Sequence, residues 1–290
     1  MTNILQYLAS GIAIGSLYGL IALGIVLVYK STQVFNFAHG ELVALGAYFL
    51  STFALLFKGL PWLAIVVTLV AMALVGVVMY VLVIRYMMDK PLLPTVMATI
   101  GIGLVIRACV LIFYGPSPVV YDALIPRDVL ILGGVRIAVS DIIVTAIALV
   151  LIGVFALVFE RTRFGLEMRA VASQREAAVL SGVNAGRVFA IALAIGTFLA
   201  GLAGVLLANT TVVAPSLEDI ALIAFPAVII GGSTSIPGAV VGGLIVGILQ
   251  KFVTGTIGPD AAVAVVYALL LIVLLVRPQG IFGRKDVVRA

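Results

Sequence analysis

The sequence predicts an all-α integral membrane protein, a polytopic bundle of about eight to nine transmembrane helices. Of its 290 residues, 64% are hydrophobic and only 10% are charged, and the mean hydropathy is +1.34. Twelve acidic and seventeen basic residues are too few to cover the surface of a soluble domain of this length. Apolar runs near the ~20 residues needed to cross a bilayer recur along the chain.

The apolar runs set the expected spans in chain order. Six have the length of a full crossing, at about 10–29, 33–57, 61–84, 94–114, 139–159 and 187–209. Two shorter runs, 217–232 and 236–253, are separated by GGSTSIPG, and a last run covers about 262–276. If each short run crosses the membrane, the chain has nine spans, whereas a re-entrant hairpin leaves seven or eight.

The basic residues indicate the orientation. With nine crossings and the N-terminus outside, twelve of the seventeen Lys and Arg residues fall on one side of the membrane. The positive-inside rule then places the segment 160–187 and the C-terminal tail in the cytoplasm. The net charge of +5 is therefore explained by membrane orientation and lipid, and we expect no nucleic-acid partner.

An internal repeat is expected. A shift of about 177 residues aligns the first two runs with 187–209 and 210–232, and it places Glu41 on Glu218. An odd number of spans between the halves would invert one relative to the other, as in many transporters. The sequence therefore predicts inverted repeats.

The whole chain, 1–290, is treated as one transmembrane domain. Its first half covers about 10–114 and its second about 187–276. Small residues spaced by four let helices approach closely in lipid. These residues are Gly11, Gly15 and Gly19 near the start, and Gly238, Gly242, Gly243 and Gly247 near the end.

The hydrophilic segment 160–187 is amphipathic and rich in helix formers between Glu160 and Ser181, with Gly182 as the expected helix stop. One interpretation is a loop that only fixes the topology. The other is a helix that docks a cytoplasmic partner. The candidate contacts are Ala177, Ala178 and Leu180, beside Arg175 and Glu176.

Three polar residues, Asn36, His39 and Glu41, stand where the second apolar run begins. Asn36 is a favourable helix N-cap residue, and a carboxylate in the first turn is favoured by the helix dipole. We therefore expect this stretch to fix a helix entry at the cytoplasmic membrane edge. Two alternatives stay open: a cytoplasmic gate, and a proton relay through His39 and Glu41.

Two further charged residues lie in apolar runs. Arg107, inside the fourth run, needs an acid, a backbone carbonyl or water as a partner, so it is either a structural contact or part of a pathway or subunit interface. Glu218 opens a short run together with Asp219, a position suited to N-terminal capping.

Two segments resemble a known transporter family. Glu176-Ala177-Ala178-Val179-Leu180-Ser181-Gly182 is similar to the E-A-A-x-x-x-G signature of ABC importer permeases. Asn36-Phe37-Ala38-His39-Gly40-Glu41, followed by Leu45-Gly46-Ala47-Tyr48, resembles N-[FM]-A-H-G-E…L-G-A-Y of the H-type permease subunit of high-affinity branched-chain amino acid importers. Supporting matches at 15–31, at 231–238 and at 277–283 extend the resemblance over the whole chain.

The resemblance implies a fold like that of type II ABC importer permeases and a function in moving branched-chain or related hydrophobic amino acids inward across the inner membrane. It implies four partners: a homologous second permease forming a heterodimer, two cytoplasmic ATPase subunits, and a periplasmic substrate-binding protein. In that family the E-A-A segment is a coupling helix seated in a groove of the ATPase. ATP and Mg²⁺ are expected on the ATPase chains, with no cofactor and no metal on this one.

Motif absences agree with a non-catalytic subunit. The chain contains no G-x-x-x-x-G-K-[ST] phosphate loop, and one His with one Cys cannot form a His/Cys metal cluster. The substrate stays open, since importers for urea, amides, other neutral amino acids or small organic acids resemble this family. An ion-coupled secondary transporter using His39, Glu41 and Arg107 is the alternative from a different class.

Overall fold

The computed structural model describes residues 2–88, 90–119, 128–132 and 135–283. The first half contains α1 (Thr2–Thr32), α2 (His39–Leu56), α3 (Pro61–Met79), a π-helical turn (Tyr80–Ile84) that leads into α4 (Arg85–Met87), and α5 (Leu92–Tyr114). The middle contains β1 (Val129–Leu132), β2 (Val135–Ala138), α6 (Val139–Arg161), α7 (Arg163–Ser173) and α8 (Arg175–Leu180). The second half contains α9 (Ala185–Thr210), α10 (Leu217–Leu222), α11 (Ala224–Gly231), α12 (Ile236–Thr256) and α13 (Pro259–Val276).

Eight helices in the described part of the chain are long and apolar enough to cross a membrane. The polytopic helical fold is therefore confirmed. The run 217–232 is not one continuous helix. It breaks at Ile223 into α10 and α11, which have six and eight residues and are each too short to cross the membrane alone. A segment of this kind is tolerated at membrane depth only where protein or water surrounds it.

A β-hairpin between α5 and α6 was not predicted. Strands β1 and β2 pair antiparallel, with Val129 opposite Ala138 and Leu132 opposite Val135. The Val139 N–H donates to the Asp128 carbonyl at 2.8 Å, which joins the hairpin to the start of α6. Two short apolar runs around a Gly-Gly pair are the sequence signal for such a hairpin.

The chain forms two compact units. The first combines Met1–Val26, Arg127–Gly153 and Ile223–Ala290. In it the predicted glycine seam packs α1 against α12, because a Cβ on Gly15 would lie 2.9 Å from the Leu244 Cα. The Tyr18 hydroxyl also donates to Gln250 Oε1 at 2.6 Å. Small residues thus let these two backbones touch, as expected from their spacing.

The second unit combines Leu27–Pro126 and Val154–Leu222. Here α9 packs against both α2 and α3 through glycines. A Cβ on Gly46 would lie 2.6 Å from the Gly201 Cα, and a Cβ on Gly76 would lie 2.6 Å from the Leu193 carbonyl oxygen. This contact fixes the position of α2, which carries the Asn36–Glu41 stretch at its start.

The segment 160–187 forms two helices where the sequence suggested one. Gln174 is extended, with φ −157° and ψ 94°, and it separates α7 from α8. Thr162 caps α7, because its side chain accepts from the Gly165 N–H. Gly182 has φ +90°, a left-handed conformation that favours glycine, so the predicted helix stop is confirmed.

Candidate functional site

Charged side chains from three helices of the second unit meet in one place. Arg107 of α5 forms an ion pair with Glu218 of α10. The Glu41 carboxyl group of α2 approaches that of Glu218 within hydrogen-bonding range. We call Glu41, Arg107 and Glu218 the charged cluster. Two glycines allow the approach: a Cβ on Gly40 would lie 3.4 Å from the Glu218 carbonyl oxygen, and one on Gly103 would lie 3.4 Å from Glu41 Cγ.

The charged cluster lies inside the membrane. Helix α1 ends on one side, and the crossings of α2, α3–α4 and α5 bring the end of α5 to the opposite side. The Val119 N–H donates to the Val213 carbonyl at 2.8 Å, so α9 ends on the same side as α5. Glu41 follows the end of α1 and Glu218 follows the end of α9. They therefore approach from opposite surfaces, Glu41 from the first turn of α2, and they meet beside Arg107 within the crossing helix α5.

Of the two expectations for Arg107, the structure shows contact with an acid. Its side chain is 48% exposed, whereas that of Glu218 is 7% exposed. A charge at this depth is costly against lipid, so the exposed part of the Arg107 side chain must face water or protein. Glu218 does stand in the first turn of α10 beside Asp219, but its carboxylate is held by Arg107 on another helix. Capping is therefore not its main contact.

Aromatic and hydroxyl groups continue from the charged cluster toward the end of α5. The rings of Tyr48 and Tyr114 pack at a centroid distance of 4.7 Å with an interplanar angle of 43°, and Thr52 Oγ1 lies 2.6 Å from Tyr114 Oη in a hydrogen bond. The Tyr48 hydroxyl is fully buried, and Tyr48 lies two turns beyond Glu41 on the same face of α2. Among the described residues this hydroxyl has no hydrogen-bond partner. The sequence predicted no role for these three side chains.

A separate cavity of about 230 Å³ lies along the same face of α5, toward the start of the helix. Thr95 and Thr99 of α5 line it, together with Asn36. The Phe37 N–H donates to Thr99 Oγ1 at 3.2 Å, which joins the start of α2 to α5. The remaining lining residues are Val28, Thr32, Gln33, Val34, Ile84, Met87, Met88, Lys90, Leu92, Phe189 and Leu193.

The start of α2 differs in detail from the predicted cap. The helix begins at His39, so Ala38 is the N-cap residue and Asn36 is not. Asn36 instead closes a turn, because its Oδ1 accepts from the Ala38 N–H at 3.1 Å. His39 is 1% exposed, and Gly40 is also buried. The stretch forms a helix entry as expected, whereas its role as a gate or relay stays a prediction.

Helix α8 presents part of the predicted docking surface. Leu180 is 89% exposed and Val179 is 50% exposed, and Glu176, Ala177 and Gly182 are exposed too. Ala178, at 6% exposure, faces the interior and is not available to a partner. The Arg175 side chain is held by its own chain, where Nη1 donates to the Met88 carbonyl at 3.3 Å and the guanidinium lies 5.8 Å from the Phe189 ring centroid.

Comparison with known proteins decides the family. Residues 7–274 match the family described as branched-chain amino acid transport system / permease component. The chain belongs to this family. No group of three or more His, Cys, Asp or Glu residues that could hold a metal ion occurs in the described ranges of this permease.

Several relatives align with nearly all of the permease. It is 30% identical to the high-affinity branched-chain amino acid transport system permease protein BraD of Pseudomonas aeruginosa, over 98% of this chain and 97% of that protein. It is 33% identical to the permease protein LivH of Escherichia coli, over 98% and 96%. A shorter match, 29% identical over 47% of this chain, is to the fructose import permease protein FruF of Bifidobacterium longum. No solved structure matches the chain.

Proposed function

We propose that this permease is the translocation subunit of an ATP-driven ABC importer that moves branched-chain or related hydrophobic amino acids inward. The observation that carries the proposal is the charged cluster, which lies at membrane depth in a member of a branched-chain amino acid permease family. An ionisable group buried in a membrane-spanning segment marks a transport pathway more often than a packing contact. The neighbouring cavity, lined largely by apolar side chains, suits an aliphatic side chain.

The proposed assembly contains a second, homologous permease, two cytoplasmic ATPase subunits and a periplasmic binding protein. The ATPases bind ATP and Mg²⁺, and this chain performs no catalysis. The N-terminus is placed in the periplasm and the C-terminus in the cytoplasm, in agreement with the charge bias. This orientation requires α10 and α11 together to complete a ninth crossing. On this orientation the cavity and α8 lie on the cytoplasmic side of the second unit.

Helix α8 is proposed as the coupling helix. Its exposed Leu180 offers the apolar contact that a groove of an ATPase would bury. Its first residue, Arg175, bonds the carbonyl of Met88, and Met88 lines the cavity beside Thr95. A displacement of α8 by an ATPase would therefore act on the end of α4 and on the cavity wall. Allosteric transitions of this kind proceed by rigid movement of helices rather than by local deformation.

Affinity purification of this chain from its native membranes, followed by mass spectrometry, tests the proposal. We expect two ATPases with phosphate-binding loops, a second permease, and a binding protein that binds leucine, isoleucine or valine. A co-encoded binding protein that binds only urea, an amide or an organic acid would show that the importer transports that class of solute instead. Recovery of this chain alone, active without ATP, would contradict the proposal.

The charged cluster would also fit an ion-coupled secondary transporter, which needs ionisable groups inside the membrane. Substitutions on α8 separate the two functions. Glu176→Lys and Gly182→Pro should uncouple an ATP-driven permease, since both alter the surface offered to an ATPase. A secondary transporter would keep most of its uptake in either variant.

A further inference from the structure

We propose that the charged cluster recognises the zwitterionic part of the transported molecule. Arg107 would bind the α-carboxylate, and Glu41 with Glu218 would bind the α-ammonium group. This inference rests on the proposed function. It limits the substrate to molecules that carry an ammonium group and a carboxylate group on the same carbon atom.

The balance of charges in the cluster is the first reason. Two carboxyl groups face one guanidinium, and the nearby Asp219 adds a further acid. Neighbouring carboxylates repel, so both can be ionised at membrane depth only when a second cation is present. A substrate ammonium group supplies that cation. A monovalent organic anion would bring no such cation.

The exposure of Arg107 is the second reason. Glu218 occupies one side of the guanidinium, while about half of the Arg107 side chain stays accessible. A guanidinium has five N–H donors in a planar fork, so one ion pair leaves donors for a second carboxylate. The arrangement therefore offers an anion contact and a cation contact side by side.

Tyr48 gives independent support. It lies two turns beyond Glu41 on the same face of α2, and its buried hydroxyl has no hydrogen-bond partner in the described ranges. A buried hydroxyl without a partner costs stability, and a substrate group that donates to the Tyr48 oxygen would remove that cost.

A variant in which Arg107 and Glu218 exchange charges tests whether this ion pair binds substrate or only stabilises the fold. In the double variant Arg107→Glu with Glu218→Arg, the ion pair can re-form, but the charges that face the substrate are rearranged. The importer is reconstituted with its partners, and leucine uptake is measured together with ATP hydrolysis. We expect uptake at least tenfold below wild type, assembly and melting temperature near wild type, and continued stimulation of ATP hydrolysis by the binding protein. Uptake within twofold of wild type would show that the pair is only structural.

Tyr48→Phe is the second variant and does not disturb the ion pair. Because the hydroxyl lacks a partner within the described part of the protein, its removal should leave folding intact. We expect a three- to tenfold loss of leucine uptake, and uptake equal to wild type would overturn the role of Tyr48. Asp260→Asn, which neutralises an exposed acid at the start of α13, is the matched control with unchanged uptake. Failure of the wild-type importer to move leucine would instead refute the proposed function.

Discussion

Gly46→Ala places a methyl group in the closest contact of α2 with α9. The new Cβ would lie 2.6 Å from the Gly201 Cα and 2.8 Å from the Gly201 carbonyl oxygen, whereas ordinary contacts begin near 3.4 Å. Both opposing atoms belong to the backbone, so they cannot rotate away, and the two helices must separate by roughly 0.8 Å. Overpacking of this kind costs about 1–3 kcal/mol. The variant should lose that amount in its free energy of unfolding.

Unfolding by SDS in mixed micelles measures this loss, and Gly101→Ala is the matched control. Gly101 also lies within a transmembrane helix, but a Cβ there meets nothing within 4 Å. Its replacement should stabilise the helix by about 0.5–1 kcal/mol, since alanine is the better helix former. Equal stability of the two variants, within about 0.5 kcal/mol, would refute the packing described here.

The same substitution has a functional consequence. Helix α2 carries Glu41 and Tyr48, so its displacement moves two members of the proposed site. Misplacement of a site by about 1 Å can reduce a rate by roughly 100-fold. Gly46→Ala should therefore lose most of its leucine uptake under conditions in which the protein is still folded. Gly101→Ala should transport leucine like wild type.

Two further predictions concern single contacts. Leu180→Ala should weaken binding of the ATPase subunits by about 2 kcal/mol, roughly 30-fold, because Leu180 is the most exposed large hydrophobic side chain of α8. Pull-down measures this binding, and Leu166→Ala on α7 is the control expected to bind normally. Thr52→Val should reduce the free energy of unfolding by about 1–3 kcal/mol, because Thr52 Oγ1 bonds both the Tyr114 hydroxyl and the Tyr48 carbonyl. Tyr114→Phe should cost only about 0.5–1.5 kcal/mol, since Thr52 keeps its bond to Tyr48. Unchanged ATPase binding in the first case, or unchanged unfolding in the second, would contradict the assigned contact.

Local and periodic features could be predicted from the sequence. The run 94–114 became α5, which covers Leu92–Tyr114, because span length follows directly from bilayer thickness. Gly182 ends α8 as expected, since a left-handed backbone favours glycine. The alignment of Glu41 with Glu218 pointed to equivalent positions in two halves. It did not indicate that the two residues touch.

The break between α10 and α11 was predictable but missed, because Pro226 has no N–H for the Leu222 carbonyl and so interrupts a helix through 217–232. Features that depend on packing were not predictable from the sequence. The inward orientation of Ala178 depends on the turn at Gln174. A second missed signal was available, because polar or small residues recur every four positions on one face of α5. They are Thr95, Thr99, Gly103 and Arg107.

ATP-driven import is tested most directly by leucine uptake into proteoliposomes that contain this permease, its partner permease and the ATPases, with leucine-loaded binding protein outside. We expect uptake that requires ATP and Mg²⁺ on the ATPase side and that persists when proton and sodium gradients are collapsed. Uptake that continues without ATP and stops when those gradients are collapsed would contradict it and would identify an ion-coupled carrier.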